Sequence, residues 1–425
     1  MKIAIVGTGI AGNVAAYHLA KEHEITVFEA ADYVGGHTNT VDVEYAGQQY
    51  AVDTGFIVFN DWTYPEFIRL LDELGVESQP SDMSFSVSCE KTGLEYNGTS
   101  RNALFAQRSN LLRPSFYRMI ADILRFNREA LSLLQGEDDS TTLGQYLQDN
   151  GYTKGFVDHY VVPMGAAIWS AQPEGLKHMP AKFFVRFFHN HGMLNIRNRP
   201  VWRVIRGGSQ RYVEPLIAGH RDRIRLRNPV HWIRRRPNGV HIKAGDSEPE
   251  FFDQVFIACH SDQALSMLAD PSPQEQQVLG AIRYQENEAV LHTDANLMPR
   301  RKLAWAAWNY HLVDREQDRV ALTYNMNILQ GLDAPCQFCV TLNNTAAINP
   351  DKVIRTISYD HPILSSEAVA AQRRHAEING DRRTYFCGAY WRFGFHEDGV
   401  VSALAALQHF DQRQRNEELY LRRAG

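Results

Sequence analysis

Three glycines near the amino terminus have the spacing that a nucleotide-binding turn requires. Residues Lys2–Val6 read as a buried strand, and Gly7-Thr8-Gly9-Ile10-Ala11-Gly12 follows directly, before an apolar helical face. Gly7 would allow the tight turn, Gly9 the close approach of a pyrophosphate to the backbone, and Gly12 the close packing of helix on strand. The free amides of the helix would then face the phosphates. The sequence therefore predicts a dinucleotide site.

A carboxylate lies where it could bind a ribose. The second predicted strand, Ile25-Thr26-Val27-Phe28, ends in Glu29, twenty positions after Gly9. In dinucleotide sites a carboxylate at this point accepts hydrogen bonds from ribose hydroxyls. These features alone leave both NAD and FAD open as ligands.

A second glycine pair lies a few residues farther on, in Asp32-Tyr33-Val34-Gly35-Gly36-His37. With this pair the sequence resembles the flavin-containing amine oxidase and phytoene desaturase superfamily, where a Gly-Gly-Arg continues the contacts to the diphosphate and the flavin. The resemblance implies that Gly35, Gly36 and His37 contact a bound FAD. His37 replaces the usual Arg, and a neutral imidazole offers one hydrogen bond and no fixed charge.

Later stretches are similar to the remaining cofactor segments of that superfamily. Arg206-Gly207-Gly208-Ser209-Gln210 resembles a Gly-Gly turn before a helix, and Val230 matches the residue whose backbone pairs with the adenine. In the resembled family the helix after Gly399 begins at the flavin pyrimidine ring, where free amides stabilise negative charge on reduction. Asp398 is the predicted N-cap of this helix. The resemblance assigns further FAD contacts to Thr54, Gly55, Phe56, Gly388, Glu397, Gly399 and Val400. Cys387 stands where the family more often has Ala, and we expect the FAD to be bound non-covalently.

Several blocks are closest to one subgroup, the bacterial NAD(P)/FAD-dependent oxidoreductases found beside cyclopropane-fatty-acyl-phospholipid synthases. The resemblance covers nearly the whole chain and includes residues 52–60, 83–88, 167–170, 290–294 and 394–399. It implies a bound FAD and redox work on lipid acyl chains. It also implies a functional link to a fatty-acyl-phospholipid methyltransferase or cyclopropane synthase.

The residues that handle a proton are less clearly marked. The resemblance implies hydride transfer between a substrate C–H bond and FAD, with oxygen or a quinone as a possible electron acceptor. Amine-oxidase relatives commonly hold a Lys beside the flavin, on a strand that we align with residues 288–292. That stretch has no Lys and the nearest is Lys302, which disfavours an ordinary amine oxidase. His292 and Asp294, at i and i+2 of a predicted strand, are the catalytic candidates, with a structural role as the alternative.

Aromatic residues are the candidates for a substrate cavity. A helix predicted over residues 181–189 carries four phenylalanines on one face. These could fill a core, line a channel for a long apolar substrate, or lie on a membrane surface. The residues expected to line the cavity are Phe184, Phe188, Trp305, Trp391 and His396.

An arginine-rich segment, Arg203 to Arg236, contains ten Arg and two acidic residues. Between Arg221 and Asn228 the arginines alternate with other residues, which predicts a half-buried strand with its basic side in water. A solvated sheet edge is one interpretation. A docking surface for phospholipid head groups or for an acidic carrier is the other.

The elements that must position these residues recur in separated segments. We predict an FAD-binding domain from residues 1–60, 201–262 and 376–425, and a substrate-binding domain from residues 61–200 and 263–375. The expected fold class is α/β. A Rossmann-like domain with three layers (ββα) would be interleaved with an α+β domain, in which helices cover an antiparallel sheet.

Composition bounds the remaining classes of function. The 425 residues carry a net charge of −5, 44% are apolar, and the five Cys are scattered, which suits a reducing compartment. We expect a cytoplasmic protein, in at most peripheral contact with the inner membrane surface, that takes a small-molecule or lipid substrate. No metal and no nucleic acid are expected. A flavin amine oxidase, or a flavin-binding and lipid-docking protein with little turnover, remain alternatives.

Overall fold

The computed structural model describes residues 1–136, 139–314 and 319–424. In chain order the strands are β1 (Lys2–Val6), β2 (Glu24–Phe28), β3 (Thr40–Tyr45), β4 (Gln48–Asp53), β5 (Phe59–Asn60), β6 (Ser78–Pro80), β7 (Phe85–Cys89), β8 (Leu94–Asn97), β9 (Trp202–Ile205), β10 (Ile224–Arg225), β11 (Val230–Arg236), β12 (Gly239–Ala244), β13 (Glu250–Phe252), β14 (Gln254–Ile257), β15 (Tyr284–His292), β16 (Trp308–Leu312), β17 (Leu322–Asn325), β18 (Cys339–Leu342), β19 (Val353–Pro362) and β20 (Thr384–Phe386). The α-helices are α1 (Ile10–Leu19), α2 (Pro65–Leu74), α3 (Arg101–Leu104), α4 (Pro114–Glu129), α5 (Leu143–Asp149), α6 (Lys154–Phe156), α7 (Val162–Trp169), α8 (Pro173–Lys177), α9 (Ala181–Asn190), α10 (Val213–Ile217), α11 (Ser261–Met267), α12 (Pro273–Gly280), α13 (Met326–Gln330), α14 (Ser366–Gln372), α15 (His375–Ile378) and α16 (His396–Ala424). Among the described residues, no helix is long and apolar enough to cross a membrane.

A parallel sheet of five strands joins three distant parts of the chain. Its order is β10-β2-β1-β14-β20, and every neighbouring pair runs parallel. Side chains alternate across β1, so that Ile3 and Ile5 pack against helices while Ala4 and Val6 pack against a second sheet. The predicted three layers are confirmed. The division into residues 1–60, 201–262 and 376–425 stays a prediction.

The second sheet of this half is the antiparallel meander β11-β12-β13. Strands β11 and β12 are joined through Pro237 and Asn238, and Arg236 pairs with Gly239. Ile233, Ile242 and Phe252 from this sheet are buried against the parallel sheet. The two sheets and the helices α1, α10 and α16 therefore form the ββα sandwich.

The other half is built on a sheet of seven strands, in the order β19-β15-β18-β17-β16-β7-β8. Its pairs are antiparallel except that of β7 with β16. Helices α4 to α9 share the largest apolar core with this sheet. The predicted α+β half with an antiparallel sheet is thus present, with one parallel pair added.

Between Arg221 and Asn228 the arginine-rich segment does not form the predicted strand. In that stretch only Ile224–Arg225 is extended, after a 3-10 turn over Arg221–Arg223. The chain turns at Arg227, whose φ is 51°, because the amides of Arg227 and Asn228 donate to the carbonyls of Ala31 and Glu29. Five arginines of the segment have acidic partners: Arg206 with Glu77, Arg221 with Glu214, Arg225 with Glu250, Arg227 with Asp32, and Arg235 with Asp270 and Glu275. Local ion pairs therefore neutralise much of the positive charge of the arginine-rich segment.

One of these pairs is fully buried and connects β11 to α12. The guanidinium of Arg235 donates to both carboxylate oxygens of Glu275, at 2.5 and 2.8 Å, and its Nε donates to Asp270 at 3.2 Å. Glu275 also accepts the amide of Ser272 in the capping box that begins α12. A buried charge whose partner is removed is costly, because water cannot replace the lost partner.

We expect Glu275→Gln to lower the free energy of unfolding by about 3–5 kcal/mol. Gln keeps the size of the side chain and can still close the capping box, so the change isolates the charge. Urea titration of the purified protein measures the effect. The exposed pair of Arg374 with Glu377 provides the control, since Glu377→Gln should leave the transition unchanged. Equal stability of the Glu275→Gln variant and the parent would contradict this assignment.

Candidate functional site

The glycine turn after β1 leaves an open space above Gly9. A Cβ on Gly12 would lie 2.0 Å from the carbonyl oxygen of Gly7, which itself has a φ of 98°, so both positions need glycine. A Cβ on Gly9 would meet nothing within 4 Å. On the far side, a Cβ on Gly36 would lie 3.1 Å from the Cα of Gly9. Two glycine loops thus approach each other beside the free amides that begin α1, which is a cradle for a diphosphate.

The amino terminus of α16 packs onto the amino terminus of α1. A Cβ on Gly399 would lie 2.5 Å from a methyl group of Ile10, and Val400 is buried in the same core. Gly388 is held beside this turn, because its amide donates to the hydroxyl of Ser402 at 2.8 Å. The positive ends of two helix dipoles therefore converge near the cradle, where they favour an anionic group.

Glu29 keeps hydrogen-bonding capacity beside the cradle. Its Oε2 accepts the amide of Thr8 at 2.9 Å and its Oε1 accepts the amide of Ala31 at 2.8 Å. The hydroxyl of Thr8 also donates to Oε2, at 2.5 Å, so of the roughly four acceptor sites of a carboxylate one, on Oε1, remains for a ribose hydroxyl. Val230 begins β11 two residues after Asn228, whose amide donates to the Glu29 carbonyl at 2.8 Å. The structure therefore brings the predicted ribose and adenine contacts together.

His37 lies where the cofactor segments meet the seven-stranded sheet. Its carbonyl accepts the amide of Phe56 at 2.7 Å, and a Cβ on Gly55 would lie 2.3 Å from the same oxygen. Thr54 is tied to the adjacent turn through the carbonyl of Asn39. The Nε2 of His37 is buried and has no hydrogen-bond partner within the described parts of the chain. An unpartnered buried nitrogen at this point fits a ligand group that is part of the site.

Three side chains that the sequence analysis did not select surround His37. Its ring stacks on Tyr359 at 4.8 Å between centroids and lies 5.4 Å from His361 and 6.2 Å from His260. His260 in turn stacks on Tyr284 at 4.4 Å. Tyr359 and His361 are at i and i+2 on β19, a one-face pattern that could have identified them. His260 directly follows the last residues of the β14 segment.

Burial keeps these imidazoles neutral. It holds the pKa of His37 well below its usual range, and the nearby His361 and His260 rings lower this pKa further. Burial also lowers the pKa of His361 to about 4. Among the described residues, no group of three His, Cys, Asp or Glu side chains is arranged to hold a metal ion. The cluster can therefore donate and accept hydrogen bonds near neutral pH without carrying charge.

The structure gives the candidate catalytic pair, His292 and Asp294, hydrogen-bond partners at one end of β15. His292 ends β15, at the opposite end from Tyr284, and is completely buried. Its Nε2 lies 2.7 Å from the hydroxyl of Thr341, and its Nδ1 accepts the amide of Asp294 at 3.0 Å. Asp294 pairs with Lys352 at 3.1 Å. Both imidazole nitrogens have structural partners, which favours the structural alternative for this pair, and its catalytic role stays a prediction.

The residues expected to line a substrate cavity also have to be corrected. Phe184 and Phe188 stack on each other at 4.1 Å inside the apolar core of the helices. Trp391 is buried against His375, and Trp305 donates its indole N–H to the carbonyl of Pro299. The ring of His396 stacks on Phe56 at 3.5 Å, and its Nε2 contacts Thr38 and Tyr212. Large aromatic side chains are buried wherever a core can accept them, and the sequence pattern does not separate core from cavity.

The two acids at the start of α16 are not directed at the cradle. Glu397 accepts the amides of Glu66 and Phe67 at 3.1 and 2.9 Å and so caps α2. Asp398 is the third residue of α16, and it accepts the amides of Phe393 and Phe395 instead of forming the predicted N-cap. Burial raises the pKa of Asp398 to about 7. Only the backbone of Glu397 remains available to the cofactor.

Two cavities adjoin the site. The smaller, of about 50 Å³, is lined in part by the polar residues Ser170, Gln172, Gln285 and His361. Its other walls are mostly apolar and include Trp169, Ala171, Leu176, Met179, Pro362 and Leu364. The larger, of about 490 Å³, lies where α2, α9 and α16 meet, and Trp62, Tyr64, His191, Phe395, Glu397 and Asp398 are among its walls. The larger cavity has α16 in common with the cradle, and the smaller has His361, whose ring centroid lies 5.4 Å from that of His37.

The cradle, the ribose carboxylate and the converging helix ends define a flavin-binding oxidoreductase. The flavin containing amine oxidoreductase family matches residues 10–312, more than half of the chain. The chain therefore belongs to that family, and its cofactor is FAD.

Solved structures share the fold across nearly the whole chain. A CLA-producing fatty acid isomerase from P. acnes has a TM-score of 0.69 and 18% identity, covering 96% of this chain and 98% of that chain. Cyclohexylamine oxidase from Brevibacterium oxydans has a TM-score of 0.69 and 16% identity, covering 97% and 99%. Putrescine oxidase bound to putrescine has a TM-score of 0.66 and 14% identity, with the same coverage. No curated protein matches the sequence. At these identities the likeness establishes the fold alone.

We expect Gly9→Ala to separate cofactor binding from folding. The new methyl group would enter the open space of the cradle, so FAD should bind at least about tenfold more weakly, which equilibrium dialysis measures. The free energy of unfolding of the FAD-free protein should fall by only about 1 kcal/mol, the cost of Ala at an N-cap. In contrast, Gly12→Ala should prevent folding, because its Cβ has no space. Unchanged FAD affinity in Gly9→Ala would contradict the cradle.

We also expect stability to fall on mild acidification. Burial lowers the pKa of His292, His361 and His375 to about 4, against an ordinary value of 6.5. The unfolded chain therefore binds more protons between these values, so the free energy of unfolding falls from pH 6.5 down to about pH 4. Each such residue adds up to about 1.4 kcal/mol per pH unit. Urea titrations across this range test this slope. His292→Gln should reduce it, whereas a change at the exposed His231 should not.

Proposed function

We propose that the protein moves a hydride between an apolar substrate, a lipid acyl chain, and a non-covalently bound FAD. The observation that carries this proposal is the smaller cavity, which is lined mostly by apolar side chains and also by His361 and Gln285. At about 50 Å³ it is well below the roughly 300–1,000 Å³ of a typical ligand pocket, so it would take one segment of a chain beside a few polar groups that orient it. An acyl chain with its carboxyl or ester oxygens has this combination of surfaces.

The hydrogen bonds around His361 favour an oxygen-bearing substrate over an ammonium. Asn287 accepts the side-chain amide of Asn343 at 2.8 Å, which orients its own amide to donate to the Nδ1 of His361 at 3.1 Å. In the neutral ring the proton is then on Nε2, which acts as a donor. A donor stabilises a carbonyl or carboxylate oxygen and repels a protonated amine. Among the described residues, the hydrogen bonds that Tyr284, Gln285 and Asn287 make beside the histidine cluster involve no Lys.

Different residues of the chain would stabilise negative charge, orient the substrate and exclude water. Bound FAD supplies a two-electron centre for hydride transfer. The free amides of α16 would stabilise negative charge in the cradle, and the apolar walls would orient the substrate and exclude water. Tyr359 holds Thr54 and Asn39 by hydrogen bonds at 3.0 and 3.1 Å, which keeps the turn at Gly55 in place. His361 would hold the substrate oxygen.

Non-covalent binding is supported by the state of the thiol nearest the helix ends. Cys387 is completely buried in the core of the nucleotide half. Burial raises its pKa to about 12, so the thiol stays protonated. A protonated thiol is a poor nucleophile, which disfavours a covalent link through this residue.

An amine oxidase is a second candidate, favoured by the larger cavity. Glu397 and Asp398 are two buried carboxyl groups in its wall, beside the aromatic rings of Trp62 and Phe395. Acceptors and aromatic faces together suit an organic cation. The assay for the proposed function therefore includes amines. A flavin-binding protein with little turnover is the third outcome.

The test is anaerobic bleaching of the yellow flavin absorbance by candidate substrates. We expect phospholipids or fatty acids with unsaturated, cyclopropane or methylated chains to reduce the flavin, and cyclohexylamine and putrescine to leave it oxidised. Ala171→Trp should slow reduction by acyl substrates at least about tenfold, because the side chain would fill the smaller cavity, while reduction by dithionite stays unchanged.

Ala346→Trp, on an exposed turn, is the matched control and should behave like the parent. Bleaching by amines alone would overturn the acyl-chain proposal in favour of the second candidate. If neither class bleaches a flavin that dithionite reduces, the binding role is favoured instead.

A further inference from the structure

Apolar side chains lie in water on one surface of the helical half. Leu111 and Leu112 are 48% and 87% exposed at the end of a 3-10 turn, Arg108–Leu112. On the adjoining α4, Tyr117 and Leu124 are 46% and 47% exposed. We call this region, from residue 101 to residue 128 together with residues 300–303, the leucine–arginine surface.

The parts of this surface form one continuous unit. The hydroxyl of Tyr117 donates to the carbonyl of Leu111 at 3.1 Å, which joins α4 to the 3-10 turn. Helix α3 packs against the turn Lys302–Ala304, where Leu303 is also exposed. Helix α4 buries Phe116, Met119 and Phe126 on its inner face. The apolar residues on its outer face therefore lie outside the core of this chain.

Unpaired basic side chains surround the exposed leucines. In the described parts of the chain, six cations of this surface have no acidic group within 4 Å: Arg101, Arg108, Arg113, Arg118, Arg300 and Lys302. The acids nearby are already neutralised, since Asp122 and Glu129 pair with Arg125, and Glu95 pairs with Arg301. The arginine-rich segment of residues 203–236 differs, because five of its arginines have acidic partners. The charge of the leucine–arginine surface is thus free to attract an anionic partner.

We propose that this surface docks the protein on an anionic phospholipid bilayer. Leu111 and Leu112 would enter the boundary between head groups and acyl chains, and the surrounding arginines would bind phosphates. The guanidinium group matches phosphate geometry with two parallel hydrogen bonds. This inference goes beyond the proposed reaction and does not rest on it, because the surface shares no residue with the FAD cradle.

Other occupants fit the same observations less well. A nucleic acid would bind the arginines through its phosphates. It would gain no binding energy from Leu112, an aliphatic side chain that is 87% exposed. A second copy of this chain would bring the same surface to itself, and the six cations would then face six more. A bilayer that contains anionic lipid satisfies the apolar and the basic groups together.

Vesicle flotation of the FAD-loaded protein tests the proposal. We expect binding to vesicles of phosphatidylcholine and phosphatidylglycerol in equal parts, at least about tenfold weaker binding to phosphatidylcholine alone, and loss of binding at high salt. Leu111→Ser/Leu112→Ser and Arg108→Glu/Arg113→Glu should each reduce binding at least about tenfold. Flavin absorbance and the thermal midpoint confirm that each variant is folded.

Two matched controls make the same kinds of substitution outside the leucine–arginine surface. Ile196→Ser removes an apolar side chain that is 69% exposed, and Arg234→Glu/Arg236→Glu reverses two charges on β11. Both should bind vesicles like the parent. Equal binding of the leucine variant and the parent overturns the proposal, as does the absence of vesicle binding by the parent. A parent that dimerises through this surface in sedimentation velocity, or that binds duplex DNA better than vesicles, also overturns it.

Discussion

The close approach of two helix amino termini is the constraint on which the rest of the structure depends. Helix α1 follows β1 and α16 is the last helix along the sequence, yet a Cβ on Gly399 would lie 2.5 Å from a methyl group of Ile10. Only a glycine fits there, and the contact directs the free amides of both helices at one open space. The parallel sheet then has to combine strands from three distant segments, because β1, β14 and β20 lie between these helices and the three-stranded sheet. The interleaved halves follow from this requirement.

A second consequence lies where the halves meet. His37 follows the second glycine loop, His260 follows β14 and His361 lies on β19, and each is kept neutral by burial. In the resembled family an arginine occupies the position of His37. Here the site combines a cradle rich in hydrogen-bond donors with a cluster of neutral histidines. Its smaller cavity is lined mostly by apolar side chains. The free amides of the two helix ends therefore lie at the phosphate end of the site, and the described residues that line the smaller cavity carry no charge near neutral pH.

Residue types with one mechanical role were predictable from the sequence, and residues with several possible roles were not. The types of the glycines at the turns and of the carboxylate after β2 followed from the backbone and ribose contacts that such a turn requires, and these positions stay predicted FAD contacts. His292 was selected from alternation along β15, which indicates a face and carries no information about position along the strand. At about 3.3 Å per residue, His292 lies well away along β15 from Asn287, which contacts the histidine cluster. The phenylalanines of α9 were ambiguous because core and cavity both accept large apolar rings.

The sequence alone determined the nucleotide cradle and the ββα layering, since these depend on local backbone geometry and on periodic burial, and its resemblance to a known family indicated FAD as the cofactor. The tertiary structure alone decided which histidines meet, which arginines are neutralised, and which leucines remain in water. Those properties depend on pairings between residues far apart in the chain, such as His37 with His361 or Arg235 with Glu275. No local pattern contains such pairings, because they arise only when the separated segments assemble around the two helix ends.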